Sequence, residues 1–284
     1  MLRKTADLRT LAYLAFASGL MVVQWRLGHV NPVLYALSLF MGITAAVISH
    51  NHNHLSIWKW RPLNLLTSYV ISILYGHPAI AWVPTHNQVH HKLNNKPGDT
   101  SRSPKYFKGN HLLALLVYPT LTGIAQQAEI RAFFGSLRKR STKAWLMAIS
   151  EYVVFFGFML FVFLLDWRKA LLFVLIPQQF ALFVIQVFNY VQHVEADEDS
   201  AWNHSRNFVS PVLNTLLFNN GLHTVHHLTP GVHWSETPAL HAQHASKIHP
   251  SLLQESWWGW MFKTFIARPF TGETAPRLDA STES

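Results

Sequence analysis

Cysteine is absent from the chain of 284 residues. Its absence excludes a disulfide framework, a thiolate zinc site, an iron–sulfur cluster and a cysteine nucleophile. Charge is scarce as well: Asp, Glu, Lys and Arg make up 13% of the residues, against roughly 25% in an ordinary soluble domain. Half of the residues are hydrophobic, and 11 tryptophans and 19 phenylalanines exclude intrinsic disorder. The length would allow two soluble domains, but this much apolar sequence with so little charge points to a membrane protein. The net charge of +9 comes without a basic–aromatic surface pattern or a recognition module. It reads as a basic face against anionic lipid, and nucleic acid is not an expected partner.

Four apolar runs are long enough to span, at about 8–25, 32–49, 145–165 and 170–190. A helix needs about 20 apolar residues to cross the hydrocarbon core. The first run follows a short basic start but lacks a small-residue cleavage site, so it reads as a span and not a signal peptide. Short loops, RLGHVN and DWRK, join the runs into two hairpins. The expected fold is therefore an all-α integral membrane protein with four transmembrane helices in two hairpins, treated as one domain over 1–284. Pro177 is expected to kink the last span, and Gln178, Gln179 and Glu151 to face the bundle or a cavity.

Residues 51–144 carry twelve Lys and Arg, whereas the outer loops hold only Arg26, Arg168 and Lys169. The positive-inside bias puts both termini, 50–144 and 191–284 on the cytoplasmic side. Residues 62–83 read as interfacial or re-entrant, 112–123 are too short to span, and the Trp-rich stretch 253–267 reads as an interfacial anchor.

Histidine is the residue in excess, with 18 in the chain. SHNHNH, where the second run reaches the cytoplasm, holds His50 and His54 four apart on one helical face, with His52 turned away. THNQVHH holds His86 and His90 at the same spacing, with His91 offset by ~100° toward a neighbouring site. In GLHTVHH, His223 shares a helical side with His226 or His227. NYVQH, at the inner end of the last run, sets Asn189 four before His193. Three histidines within six residues are hard to explain as packing, because buried imidazoles need partners. One metal takes three to five imidazoles, so these nine histidines indicate two metals; zinc, copper, iron and nickel all suit such donors. Asp99, Glu195, Asp197 and Glu236 are candidate acceptors for the second ring N–H of a ligand. His204 is a candidate neighbour of the site or substrate, His241 with His244 a further metal face, and His29 lies in an outer loop.

HNHNH, HNQVHH and GLHTVHH, in this order and framed by spans, resemble the three histidine boxes of the membrane fatty acid desaturase and hydroxylase superfamily, bacterial branch. The resemblance covers about residues 10–265. It implies a cytoplasmic helical cap and a non-haem di-iron centre whose ligands fall on His50, His54, His86, His90, His91, His193, His223, His226 and His227. Asn189 stands where the acyl-CoA branch has an asparagine that reaches the metal through water. NYVQH also resembles the NYxEH stretch of membrane alkane hydroxylases. The middle box departs from the acyl-CoA branch, reading H-x-x-x-H-H in place of H-x-x-H-H.

The resemblance implies two Fe ions (Fe2+/Fe3+) as cofactor, O2 as co-substrate, and a fatty acyl substrate (lipid, CoA, carrier-protein or free acid) desaturated with external electrons. The alternative is a hydroxylase or oxidative decarboxylase of fatty acyl, alkane or terpenoid substrates. No haem-binding HPGG segment occurs, so a separate donor is expected: ferredoxin, rubredoxin, or cytochrome b5 with its reductase. The expected location is the bacterial inner membrane. Trp145, Tyr152, Phe155, Phe180 and Phe183 are candidate acyl-tunnel residues. Lys92, Lys96, Arg102, Lys105 and Arg206 are candidates for an anionic headgroup. A membrane metal transporter would carry its ligands near mid-membrane, whereas these clusters sit at or beyond the inner ends of the spans.

Overall fold

The computed structural model describes residues 1–107, 109–274 and 278; Lys108 and most of the polar last dozen residues lie outside the described residues. The chain divides into two compact units, Met1–Thr85 with Gln127–Ile185, and His86–Gln126 with Gln186–Ser284. Among the described residues, four helices are long and apolar enough to cross a membrane: Asp7–Leu27, Pro32–His54, Thr142–Leu165 and the continuous segment Trp167–His193. A bent pair, Arg61–Tyr75 with Ala79–Leu93, turns by 91° and would make a fifth if counted as one broken span.

In the first unit, local chemistry sets the helix ends. Asp7–Leu27 stops at Gly28, whose φ is +69°. Pro32 opens the next helix, and Asn31 Oδ1 accepts the N–H of Val33 at 3.1 Å and of Leu34 at 3.2 Å. Both features are helix-start signals: a preset φ and a side chain that satisfies orphan donors. This helix runs on to His54, so the first histidine box is helical throughout. Gln24 donates to Ser38, a buried polar pair between the two helices. The third and fourth apolar helices are separated by Asp166, which accepts the N–H of Arg168 and of Lys169, each at 3.1 Å.

The bend after Tyr75 depends on Gly76. Its φ is +92°, and a Cβ there would lie 2.5 Å from Cβ of Gln178. Gln178 is buried and donates to the Ile73 carbonyl at 2.6 Å, and buried Glu151 accepts the Ile80 N–H at 2.7 Å. Two of the three polar residues expected to face inward therefore do so. Gln179 does not: it is exposed. Helical rotation of ~100° per residue turns it away from the face that buries Gln178. A π-helical turn, Leu171–Leu175, precedes Pro177, so the helix is distorted where the missing N–H of proline was expected to disturb it.

A small cavity of about 30 Å³ in the first unit is bounded by residues such as Met21, Met41, Leu74, Phe173 and Gln178, and by none of the five aromatic tunnel candidates. Phe180 is exposed, and Trp145 lies under the Arg138 guanidinium at 5.4 Å.

The second unit is built from shorter helices: Leu112–Ala125, the C-terminal turns of Trp167–His193, Pro211–Leu216, His223–Leu228, Thr237–His244 and Trp257–Phe262. A two-residue parallel pairing, Asn207–Phe208 with Leu253–Gln254, is the only sheet among the described residues. Leu112–Ala125, at 14 residues, is too short to span, as expected. In the Trp-rich segment, Trp257 and Trp260 are buried and Trp258 is exposed, so two of its three indoles pack inward.

Candidate metal centre

The second and third histidine boxes and His193 lie in the second unit. His90, His193, His223 and His227 form one group, each offering a nitrogen within 4.8 Å of the others. His193 Nε2 lies 2.9 Å from His223 Nε2, which lies 3.1 Å from His227 Nε2. His86, His91 and His226 gather separately: His91 Nε2 is 3.0 Å from His86 Nε2 and 2.9 Å from His226 Nε2. In the first unit, His50 and His54 sit one turn apart, with ring centroids 4.9 Å apart, as their spacing predicts.

The grouping differs from the sequence expectation for the middle box. His86 was expected to share a face with His90, but it meets His91. The cause is local: Val83–His90 is π-helical. In a π-helix, bonds run from i to i+5, so residues five apart stack where an α-helix stacks residues four apart. The π-helix thereby absorbs the extra residue of H-x-x-x-H-H. In the third box the chain is α-helical over His223–Leu228, so His223 meets His227 at i+4 and His226 joins the other group. Each adjacent pair, His90–His91 and His226–His227, is thus split between the two groups, because neighbours on a helix point ~100° apart.

The donor set fits a metal. His90 Nδ1 lies 2.7 Å from Asp99 Oδ2, both side chains being wholly buried, and the carboxylate makes Nδ1 the protonated nitrogen. His90 Nε2 is then bare, buried and without a hydrogen-bond partner. His193 Nδ1 faces the His204 carbonyl at 3.2 Å, which likewise leaves Nε2 as a lone pair. Nitrogens about 3 Å apart match two imidazoles bound at a right angle to one ion at ~2.0–2.1 Å. A shared cation satisfies the converging lone pairs together, whereas one proton between two rings satisfies a single pair.

The electrostatics agree. Burial alone would raise the Asp99 carboxyl, but the His90 charge and hydrogen bond, with the Ser101 N–H, hold it below the usual carboxylate range. Burial pushes His227 well below the ordinary histidine value, and the neighbouring histidines push it further. Burial, followed by the field of His90, lowers His204 to about 4. Burial thus keeps His227 neutral, the form that binds metal.

Among the four candidate acceptors, Asp99 meets a ligand. Glu195 instead pairs with Arg268 at 2.6 Å, and Asp197 accepts the Asp199 N–H within its own turn. The Asn189 amide donates to Tyr118 Oη at 2.7 Å and to the Ser101 carbonyl at 3.3 Å. His52 Nδ1 accepts the Ile57 N–H, a local contact that agrees with leaving it out of the site. His241 and His244 do not belong to a histidine group among the described residues.

An open cleft of about 320 Å³ in the second unit is lined by His91 and His227 together with Lys92, Lys96, Glu198 and His204. The basic residues expected to hold a headgroup are largely committed elsewhere. Lys96 pairs with Asp199 at 2.9 Å and Arg102 with Glu198 at 2.8 Å, while Arg206 is buried. Four polar groups escaped the sequence reading: Ser205, Asn207, Tyr118 and Thr224. Thr224 lies inside the third box, but its type carries no metal signal.

Apolar helices of spanning length and imidazole groups without thiolate define a membrane metalloprotein. The family model described as Fatty acid desaturase matches residues 12–259, and the chain belongs to that family. Nothing matches among curated proteins or among solved structures. Family and histidine groups together make the chain a non-haem di-iron membrane oxidoreductase.

Proposed function

We propose that the chain is an O2-dependent fatty acyl desaturase using electrons from a separate donor. The observation that carries this reading is the convergence of His90, His193, His223 and His227 as an all-nitrogen, buried group in a member of the fatty acid desaturase family. Two iron ions are the proposed occupants, their ligands being the nine histidines that the resemblance implies; one ion falls to these four histidines, and His86, His91 and His226 serve the other. Asn189 is proposed to reach the metal through water by its carbonyl oxygen. When bound, the irons supply reductive activation of O2 and the oxidising power to break an unactivated C–H bond.

The chain's own residues hold and shield. Asp99 fixes the tautomer of His90, and the His204 carbonyl fixes that of His193. Burial of these rings excludes water from the oxidising centre, which limits side reactions. Positioning one substrate methylene close to that centre is the remaining task. The proposed topology is two hairpins with termini and site in the cytoplasm of a bacterial inner membrane, supported by the basic bias of 51–144. Ferredoxin, rubredoxin or cytochrome b5 is the proposed donor class.

The reaction balances as R–CH2–CH2–R′ with O2, two electrons and two protons giving R–CH=CH–R′ and two waters. Membranes carrying the chain, given ferrous iron, O2 and reduced ferredoxin, should yield lipids lighter by two hydrogens in mass spectrometry. Gain of one oxygen would replace the reading by hydroxylation. Loss of the carboxyl carbon would replace it by oxidative decarboxylation.

A further inference from the structure

Arg206 is 2% exposed, a rare location for a guanidinium. Its Nη1 donates to the carbonyls of Val191 at 2.6 Å and Val194 at 2.9 Å. Its backbone N–H donates to Gln192 at 2.6 Å. These carbonyls lie at the C-terminal end of the helix that carries His193, where helical carbonyls lack partners and a positive charge complements the helix dipole. The Trp260 ring covers the guanidinium at 4.3 Å, and burial lowers Arg206 to about 10, so it stays charged at neutral pH.

His204 also contacts this helix, and the residues on either side of Arg206 face the other ligand helix. The His204 carbonyl accepts from His193 Nδ1. Ser205 Oγ lies 2.9 Å from Thr224 Oγ1. Asn207 closes a two-way pair, donating to Thr224 Oγ1 at 2.8 Å and accepting the Thr224 N–H at 3.0 Å. Thr224 follows His223 directly. Four consecutive buried residues thus grip the helix end bearing His193 with one set of bonds and the helix bearing His223 with another. The two Nε2 atoms are left 2.9 Å apart. Packing alone would not require a buried charge here, since an apolar side chain could fill the same space.

We infer that His204–Asn207 is a positioning bracket for the His90–His193–His223–His227 group, with Arg206 holding the His193 helix end and Asn207 holding the His223 end. The inference rests on the proposed two-metal reading. Arg206 acts on the His193 helix end, which feeds one histidine group alone, so its loss should weaken one site and spare the other. Lysine cannot replace Arg206: both carbonyls are held from Nη1, one bond farther from the backbone than a lysine Nζ reaches, and an ammonium lacks the planar face that stacks on Trp260.

The test uses the full chain in detergent, with Co2+ as probe, followed by visible absorption, equilibrium dialysis and thermal melting. Wild type should bind about two Co2+ per chain. Arg206→Lys should weaken one Co2+ by ~10–100-fold, the usual range for losing a residue that orients ligands, while the other keeps its affinity and spectrum. Thr224→Val, which removes the hydroxyl gripped by Ser205 and Asn207, should weaken the same site more than the other, which draws only His226 from that helix, and it decides the matter if Arg206→Lys does not fold. Both sites weakening together with the melting temperature would overturn the inference and mark Arg206 as structural. Wild-type affinities at both sites would also overturn it. Wild type binding fewer than two Co2+ would instead overturn the two-metal reading, and the inference with it.

Discussion

His86 Nε2 and His91 Nε2 lie 3.0 Å apart although five positions separate them, because the segment between them is a π-helix. The pitch of that one turn decides which histidine joins which group. An alanine inserted between Val89 and His90 would rotate both His90 and His91 by ~100°. Since these two residues feed different groups, bound metal should fall at both, as measured by metal analysis of the purified chain.

Individual ligands should be indispensable. Alanine at His90, His91, His223 or His227 should abolish product and lower bound metal, whereas His52→Ala should keep the metal and cost only the stability of a local contact, about 1 kcal/mol. Lipid mass profiling with metal analysis checks both. Full activity in His91→Ala would overturn the two-metal assignment.

Asp99 accepts from His90 at 2.7 Å and from the backbone of Asn95 and Ser101 at 3.0 and 2.8 Å. Asp99→Asn keeps the shape but weakens the charge-assisted bond that orients His90. Metal affinity should drop by ~10–100-fold in equilibrium dialysis. Asp99→Ala should also lower the melting temperature, because it strands two buried N–H groups.

Acid should destabilise the metal-free protein through His204. Its folded value, lowered to about 4, lies below the ordinary 6.5, so the unfolded chain binds more protons between these values. The stabilising term is fully present above pH 6.5 and is lost as the pH falls toward about 4, at most about 3 kcal/mol. Melting temperatures from pH 7.5 to 4 should fall less steeply in His204→Gln than in wild type.

The third box needs a glycine before it. A Cβ on Gly221 would lie 2.2 Å from the Phe208 carbonyl oxygen and 2.7 Å from Asn214 Oδ1, and backbone cannot move aside cheaply. Gly221→Ala should cost about 1–3 kcal/mol or more and displace His223, lowering both melting temperature and bound metal. Gly231→Ala, with open space around it, should leave bound metal unchanged.

Much of this was legible in the residues alone. Hydropathy is a sum over neighbours along the chain, so four apolar runs and the basic stretch between them marked a multi-pass membrane protein. Missing cysteine and clustered histidine marked an all-nitrogen site, and three boxes in order marked the family. Spacing in a regular helix also paired His50 with His54, because nothing interrupts that helix. Tertiary structure decided what regular spacing could not. A π turn moved His86 from His90 to His91, and helical rotation exposed Gln179 beside buried Gln178. Arg206, a candidate for an anionic headgroup, is buried on the end of the His193 helix. The physical reason is common to all three. Residue type and spacing fix what a side chain can do, but its partner depends on helix pitch and on hydrogen bonds between segments far apart in sequence.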